Sequence, residues 1–161
     1  MLKFVKGDIF ESDAQTLVNT VNCRGVMGKG LALEFKRHFP QMFEEYKKEC
    51  EANRLRIGTL HLYRGPNKWI LNFPTKDHWR GRSKIEYIER GLQYFVEHYN
   101  EWEITSIAFP KLGCNLGGLD WQEVKEKMIE YLENLDDIEI YVYEDVKNSE
   151  QLSLFKGGER L

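Results

Sequence analysis

Twice in this chain a short apolar strand runs straight into a glycine-rich turn and then into a helix. The first unit reads Thr16-Leu17-Val18-Asn19 continuing to Val21-Asn22. Next comes Cys23–Gly30, with three glycines in eight residues, then apolar side chains at 31, 32, 35 and 39. The second reads Ser106-Ile107-Ala108-Phe109, then Lys111–Gly118 with Gly113, Gly117 and Gly118, then a helix over Trp121–Leu132 capped by Asp120. A strand that feeds a helix through a tight turn is the building unit of a parallel sheet. The remaining segments fit the same scheme. Leu2–Lys6 alternates as a strand. Leu31–Phe39 has helical spacing and stops at Pro40, and Met42–Asn53 continues as a second helix. Thr59–Tyr63 and Trp69–Phe73 read as strands joined by the turn Arg64-Gly65-Pro66-Asn67. Ile85–Tyr99 reads as a long amphipathic helix, with Ser83 and Glu86 forming a capping box. Glu139–Tyr143 is the last strand. The expected architecture is α/β: a mixed, largely parallel six-stranded sheet with helices on both faces. The polar stretch from Glu144 onward reads as a loosely held tail, so residues 1–145 form one domain and 146–161 the tail proper.

Composition closes off several classes. The 161 residues contain no apolar run near the roughly 18 that cross a bilayer, and the start has no apolar core of a secretory signal. Cys23, Cys50 and Cys114 cannot all pair and none forms C-x-x-C, so free thiols in a reducing cytoplasm are expected. A net charge of −3 argues against holding nucleic acid by overall positive charge. The stretch 76–84 is the exception: Lys76, Arg80, Arg82 and Lys84 stand against a single carboxylate, Asp77. His78 and Trp79 lie within it and suit stacking on unpaired bases. The bland alternative is a solvated loop with Trp79 tucked into the core. His38, His61 and His98 have no metal-ligand spacing, so no metal site is expected.

A glycine turn between strand and helix offers bare N–H groups and a positive helix end to an anion. Two on one sheet edge could grip a diphosphate from both sides. The first turn is not a Walker A loop: Cys23 stands where its first glycine belongs, and Gly30 replaces the Ser or Thr after Lys29. It also fails as a dinucleotide fingerprint, with Leu33 at the third glycine position.

The run Gly7-Asp8-Ile9, then Leu17–Asn22, then Gly25-Val26-Met27-Gly28-Lys29-Gly30, resembles the start of a macro domain, the ADP-ribose-binding fold. Phe109-Pro110-Lys111-Leu112-Gly113-Cys114 resembles that family's second phosphate loop, and Gly118-Leu119-Asp120-Trp121 the helix behind it. The resemblance covers roughly residues 1–145. A narrower match, Asn72-Phe73-Pro74-Thr75-Lys76 followed by His78-Trp79-Arg80, is similar to the branch that reverses ADP-ribosylation with a lysine. That branch includes the DarG-type antitoxins, which strip ADP-ribose from thymidine bases in DNA, and a relative that acts on protein glutamates.

The resemblance implies the roles. Asp8, with the Ile9 backbone, takes the adenine amino group; the alternative is a turn residue after Gly7. Asn22 contacts the distal ribose and shares in the chemistry. Gly25, Val26, Met27, Gly28, Lys29 and Gly30 hold the diphosphate from one side. Gly113, Cys114, Asn115, Leu116, Gly117 and Gly118 hold it from the other. Tyr143 stacks on adenine or packs as a sheet residue against a helix. Lys76 is catalytic: a partly desolvated amine could attack the anomeric carbon or the opened sugar's aldehyde, or its charged form could steady the departing base. The glutamate-acting relative pairs its lysine with an aspartate in the second loop, where this chain has Gly117. The expected function is therefore a glycohydrolase freeing ADP-ribose from thymidine in single-stranded DNA, with His78, Trp79, Arg80 and Arg82 on the strand. Its ADP-ribose is ligand and product, with no other cofactor. The expected setting is a monomeric antitoxin that opposes a DNA-modifying toxin, away from membranes. The alternatives are action on protein carboxylates, or a reader that binds ADP-ribose without turnover.

Overall fold

The computed structural model describes residues 1–146. Its strands are β1 (Leu2–Gly7), β2 (Thr16–Val21), β3 (His61–Arg64), β4 (Trp69–Pro74), β5 (Ser106–Phe109) and β6 (Glu139–Val146). They form one sheet in the order β1-β6-β5-β2-β4-β3. β3 pairs antiparallel with β4, and every other pairing is parallel. The mixed, largely parallel sheet expected from the alternation of elements is the one that forms.

Successive residues of a strand face opposite sides, and here both sides are covered. Val18, Leu71, Ile107 and Ile140 pack with Ile88, Leu92 and Phe95 of α3 (Ile85–His98) and with Val124, Met128 and Leu132 of α4 (Trp121–Leu132). Leu17, Ile70 and Ala108 pack with Phe35 of α1 (Gly30–His38) and with Met42, Tyr46 and Cys50 of α2 (Pro40–Glu51). Burial on both faces is why the central strands are apolar runs and not alternating ones. α3 lies so close to the sheet that a β-carbon on Gly91 would sit 2.3 Å from Phe73 Cζ.

Several boundaries differ from the sequence expectation. Pro40 does more than end α1. It opens α2 within its first turn, where its missing N–H has no helical partner to lose. Asp120 caps α4 as expected, its carboxylate accepting the Glu123 N–H at 3.1 Å. Ser83 does not cap α3, however. The capping residue is Lys84, which makes no side-chain bond, and the Ser83 hydroxyl is buried without a partner. The reason is tertiary: the Ser83 N–H donates to the Gly117 carbonyl at 3.1 Å, which ties this residue to the second glycine loop. The strand expected from Thr59 begins at His61, because Thr59 closes a turn with Arg56. β6 continues to Val146, so Glu144 belongs to the sheet, where its carboxylate accepts from Lys125 at 2.9 Å. The rest of the expected tail, 147–161, lies outside the described residues.

Candidate active site

Five of the six strands run parallel, so their carboxyl ends share one edge, where ligands of such sheets sit. The strand order dictates the order of groups along that edge. Asp8 follows β1, and Tyr143 lies on β6. The loop 110–120 follows β5, the loop 22–29 follows β2, and Lys76 follows β4. At about 4.8 Å per strand, β1 to β4 covers about 19 Å.

The first glycine loop is held by a buried asparagine. Asn22 Nδ2 donates to the Val26 carbonyl at 2.7 Å, and its Oδ1 accepts the Arg24 N–H at 2.9 Å. From α2, the Tyr46 hydroxyl lies 2.8 Å from the Asn22 carbonyl and 2.9 Å from its Oδ1. Burial, with Cys50 beside it, pushes the Tyr46 phenol well above its usual pKa, so it stays a donor. Asn22 therefore shapes the loop. Met27 is anchored in the core and accepts from Asn19 Nδ2 at 3.7 Å. Val26, Gly28, Lys29 and Gly30 stay exposed, with Gly30 opening α1 at φ 57°. Sequence reasoning missed Tyr46. It missed equally the fully buried Asn19–Asn72 pair, in which Asn19 Nδ2 donates to Asn72 Oδ1 at 3.1 Å and His61 Nδ1 lies 3.0 Å from Asn72 Nδ2. The available signal was an amide at the matching position of two otherwise apolar neighbouring strands.

Lys76 stands two residues past β4 and is fixed from both sides. The Thr75 N–H donates to Val21 at 2.9 Å, and the Cys23 N–H donates to Asp77 at 3.1 Å. These bonds continue the β2–β4 ladder past the strands and hold Lys76 beside Asn22. The adjacent carboxylate, Asp77, is turned to Arg24 at 3.1 Å. The Lys76 amine is held below the ordinary lysine range, first by burial and then by the positive charge of Lys29 on the first loop.

The second loop closes on itself through Leu119 N–H to the Gly113 carbonyl at 3.0 Å, with Gly113 and Gly118 at φ 72° and 82°. It meets the first loop directly: Leu116 Cδ1 lies 3.1 Å from where a β-carbon on Gly30 would stand. At Gly117 a β-carbon would fall 2.4 Å from the Gly113 carbonyl oxygen and 2.2 Å from Ser83 Oγ. This backbone therefore has no room for a carboxylate at 117.

Past the β4 end, the 78–80 turn is an aromatic and cationic cluster with Trp79 and Arg80 exposed. Trp79 is 43% exposed, so it does not tuck into the core. The Arg80 guanidinium lies 4.5 Å over its ring, and His78 stands 4.9 Å from it. Arg82 leans instead on the second loop, with a guanidinium nitrogen 2.9 Å from the position of a β-carbon on Gly118. Asp8 is exposed and caps the short turn Ile9–Glu11, one carboxylate oxygen accepting the Phe10 N–H at 2.9 Å. The Ile9 side chain is buried. Tyr143 pairs with Val5 inside the sheet, half-buried, with its ring against Gly7. It is thus not a strand-end residue. Cys23 and Cys114 are poor nucleophiles, since burial pushes their thiols up to about 12 and about 11. Among the described residues, no three His, Cys, Asp or Glu side chains gather to hold a metal.

A largely parallel sheet with two touching glycine loops at its carboxyl edge defines the class as an α/β domain with a loop-built site. The chain belongs to the macro domain family, whose sequence pattern matches residues 18–128. It is 48% identical over 158 residues to a DNA ADP-ribosyl glycohydrolase of Thermus aquaticus, covering 96% of this chain and 44% of that one. The chain thus spans less than half the length of that relative. Its fold matches the macrodomain of Thermus aquaticus DarG at a TM-score of 0.85 and 49% identity, over 89% of this chain and 98% of that one. Thermosipho africanus DarTG in complex with ADP-ribose matches at 0.83 and 41% identity, over 88% of this chain and 41% of that one.

Proposed function

We propose that this chain is a DNA ADP-ribosyl glycohydrolase that frees ADP-ribose from thymidine bases in single-stranded DNA, and so acts as the antitoxin to a DNA-modifying toxin. The carrying observation is Lys76, a partly buried amine with lowered proton affinity at the β4 end of an edge lined by two glycine loops. The order along the edge supports a ligand of matching order. The adenine lies by Asp8 and Tyr143, the diphosphate between the glycine loops, and the distal ribose by Asn22 and Lys76. The free amine of Lys76 attacks the anomeric carbon of that ribose. The C–N bond to the thymine breaks, and the base leaves with its electron pair and takes the proton that the alkylated Lys76 nitrogen sheds. Water then displaces the amine and releases ADP-ribose. Asn22, committed to the loop, positions the reacting sugar. No metal enters the scheme.

The lack of room for a carboxylate at Gly117 favours a nucleobase over a protein carboxylate as leaving group, because the aspartate that the glutamate-acting relative pairs with its lysine has no counterpart here. Trp79 and Arg80 present a stacking face and a charge to the strand. The test is release of ADP-ribose from an ADP-ribosylated oligonucleotide, set beside an ADP-ribosylated protein. The oligonucleotide is the expected substrate, and Lys76→Ala lowers its rate on the order of 10²–10⁴-fold. A Lys76→Ala chain as fast as the parent sinks the mechanism. Release from the protein alone replaces DNA by protein as the substrate class.

A further inference from the structure

The hydroxyl of Ser83 is one of two buried side-chain oxygens among the described residues that have no hydrogen-bond partner. The residue is 5% exposed, and the hydroxyl oxygen is shut off from water. Leaving such a group unpaired is costly, and its position gives the reason to keep it. Ser83 sits beneath the second glycine loop. Its N–H holds the Gly117 carbonyl at 3.1 Å. Its Oγ and the Gly113 carbonyl oxygen crowd the same point beside Gly117, within 2.2 and 2.4 Å of a β-carbon placed there. Its Cβ lies 3.2 Å from the β-carbon position of Gly113. Next to it Arg82 leans on Gly118, so two consecutive residues brace the loop from below.

A peptide group points its N–H and its C=O in opposite directions. When an N–H of the second loop turns outward to an anion, the carbonyl of that peptide turns inward, toward Ser83. The loop carries glycines at 113, 117 and 118, which permit such a rotation without a side-chain penalty. The sequence expectation for Ser83, a cap for α3, leaves this hydroxyl unexplained, since the cap bond does not form. We infer that Ser83 is a positioning residue for the diphosphate: its buried hydroxyl donates to a second-loop carbonyl when the loop's N–H groups hold the ligand. The inference rests on the reading that this loop holds a diphosphate. It adds a residue to which neither the reaction scheme nor the loop motif gives a role. The bond is made with the ligand and adds nothing to the stability of the ligand-free protein.

This division between free and bound states is what the experiment reads. ADP-ribose binding is measured by calorimetry, and the melting temperature of the ligand-free chain by calorimetric scan, for the parent, Ser83→Ala and Ser83→Cys. Cysteine keeps the shape and nearly loses the donor. Both variants are expected to melt at or above the parent temperature without ligand, and to bind ADP-ribose about five- to tenfold more weakly, the worth of one hydrogen bond. With oligonucleotide substrate the loss falls in KM and leaves kcat within about twofold, since Ser83 touches no reacting atom. Variants that bind as tightly as the parent overturn the inference and leave the ligand reading intact. Variants that melt lower yet bind normally do the same, because they mark an ordinary packing role. A parent chain that binds no ADP-ribose overturns the ligand reading and this inference with it.

Discussion

A lysine is a nucleophile only in the fraction that has lost its proton, and at neutral pH an ordinary lysine has almost none. At Lys76 two effects act in the same direction. Partial burial penalises the charged form, and Lys29 adds a like charge from across the first loop. The nearest carboxylate in sequence could have restored the proton, but Asp77 is engaged by Arg24. The sign follows: the amine becomes free at a lower pH than an unperturbed lysine. The rate should therefore rise with pH and level off below the ordinary lysine range. Lys29→Ala removes the like charge, raises the Lys76 pKa and moves that rising limb to higher pH. A pKa one unit higher lowers the free amine at pH 7 about tenfold. Lys29→Arg keeps the charge and the profile. The measurement is kcat against pH at saturating substrate, and superimposable profiles for Lys29→Ala and the parent would remove Lys29 from the account.

At the scale of elements, the site is made by loops that brace one another. The loop after β4 is tied to the first glycine loop at Cys23–Asp77 and to the second at Ser83–Gly117. The two glycine loops touch through Leu116 and Gly30. Gly117 is where this bracing is tightest, because backbone oxygen and a buried hydroxyl fill the space of a side chain. Gly117→Ala should push the loop off its seat. Overpacking of this kind costs about 1–3 kcal/mol. The variant is expected to melt several degrees lower and to bind ADP-ribose at least about tenfold more weakly, by scanning and titration calorimetry. A variant with unchanged melting and affinity would mean that the loop relaxes freely.

Over the whole molecule, charge decides how DNA would be held on the proposed reading. The chain carries −3 in total, so long-range attraction to a strand is absent and contacts must be local. Trp79 and Arg80 offer the local means: a 43% exposed ring with a guanidinium stacked on it. The two substitutions should therefore separate in salt. With an ADP-ribosylated oligonucleotide and the inactive Lys76→Ala background, Arg80→Ala should lower the slope of log affinity against log salt by about one. Trp79→Ala should weaken binding by about 1–3 kcal/mol at every salt concentration, as expected of lost base stacking. Fluorescence anisotropy reads both, and equal salt slopes for all three proteins would count against a strand crossing this turn.

Local pattern carried the fold a long way. Apolar runs bounded by glycine turns set the strands, the 3.6-residue spacing set the helices, and Asp120 capped α4 as read. Each of these is decided by neighbours within a few positions. Lys76 was singled out by the resemblance of Asn72-Phe73-Pro74-Thr75-Lys76 to a known family, and it stands in a loop just past an apolar strand. What sequence could not decide depends on partners far along the chain. Tyr46 reaches Asn22 across 24 positions, and Asn19 reaches Asn72 across 53. Ser83 has the residue pattern of a helix cap, but the Gly117 carbonyl claims its N–H and leaves its hydroxyl beneath the loop. By itself the sequence determined which segments become strands, turns and helices, because that choice is made by local sterics and the burial of one face or two. Only the packed sheet, by setting β2 between β5 and β4, determined which loops touch and which polar groups are left waiting.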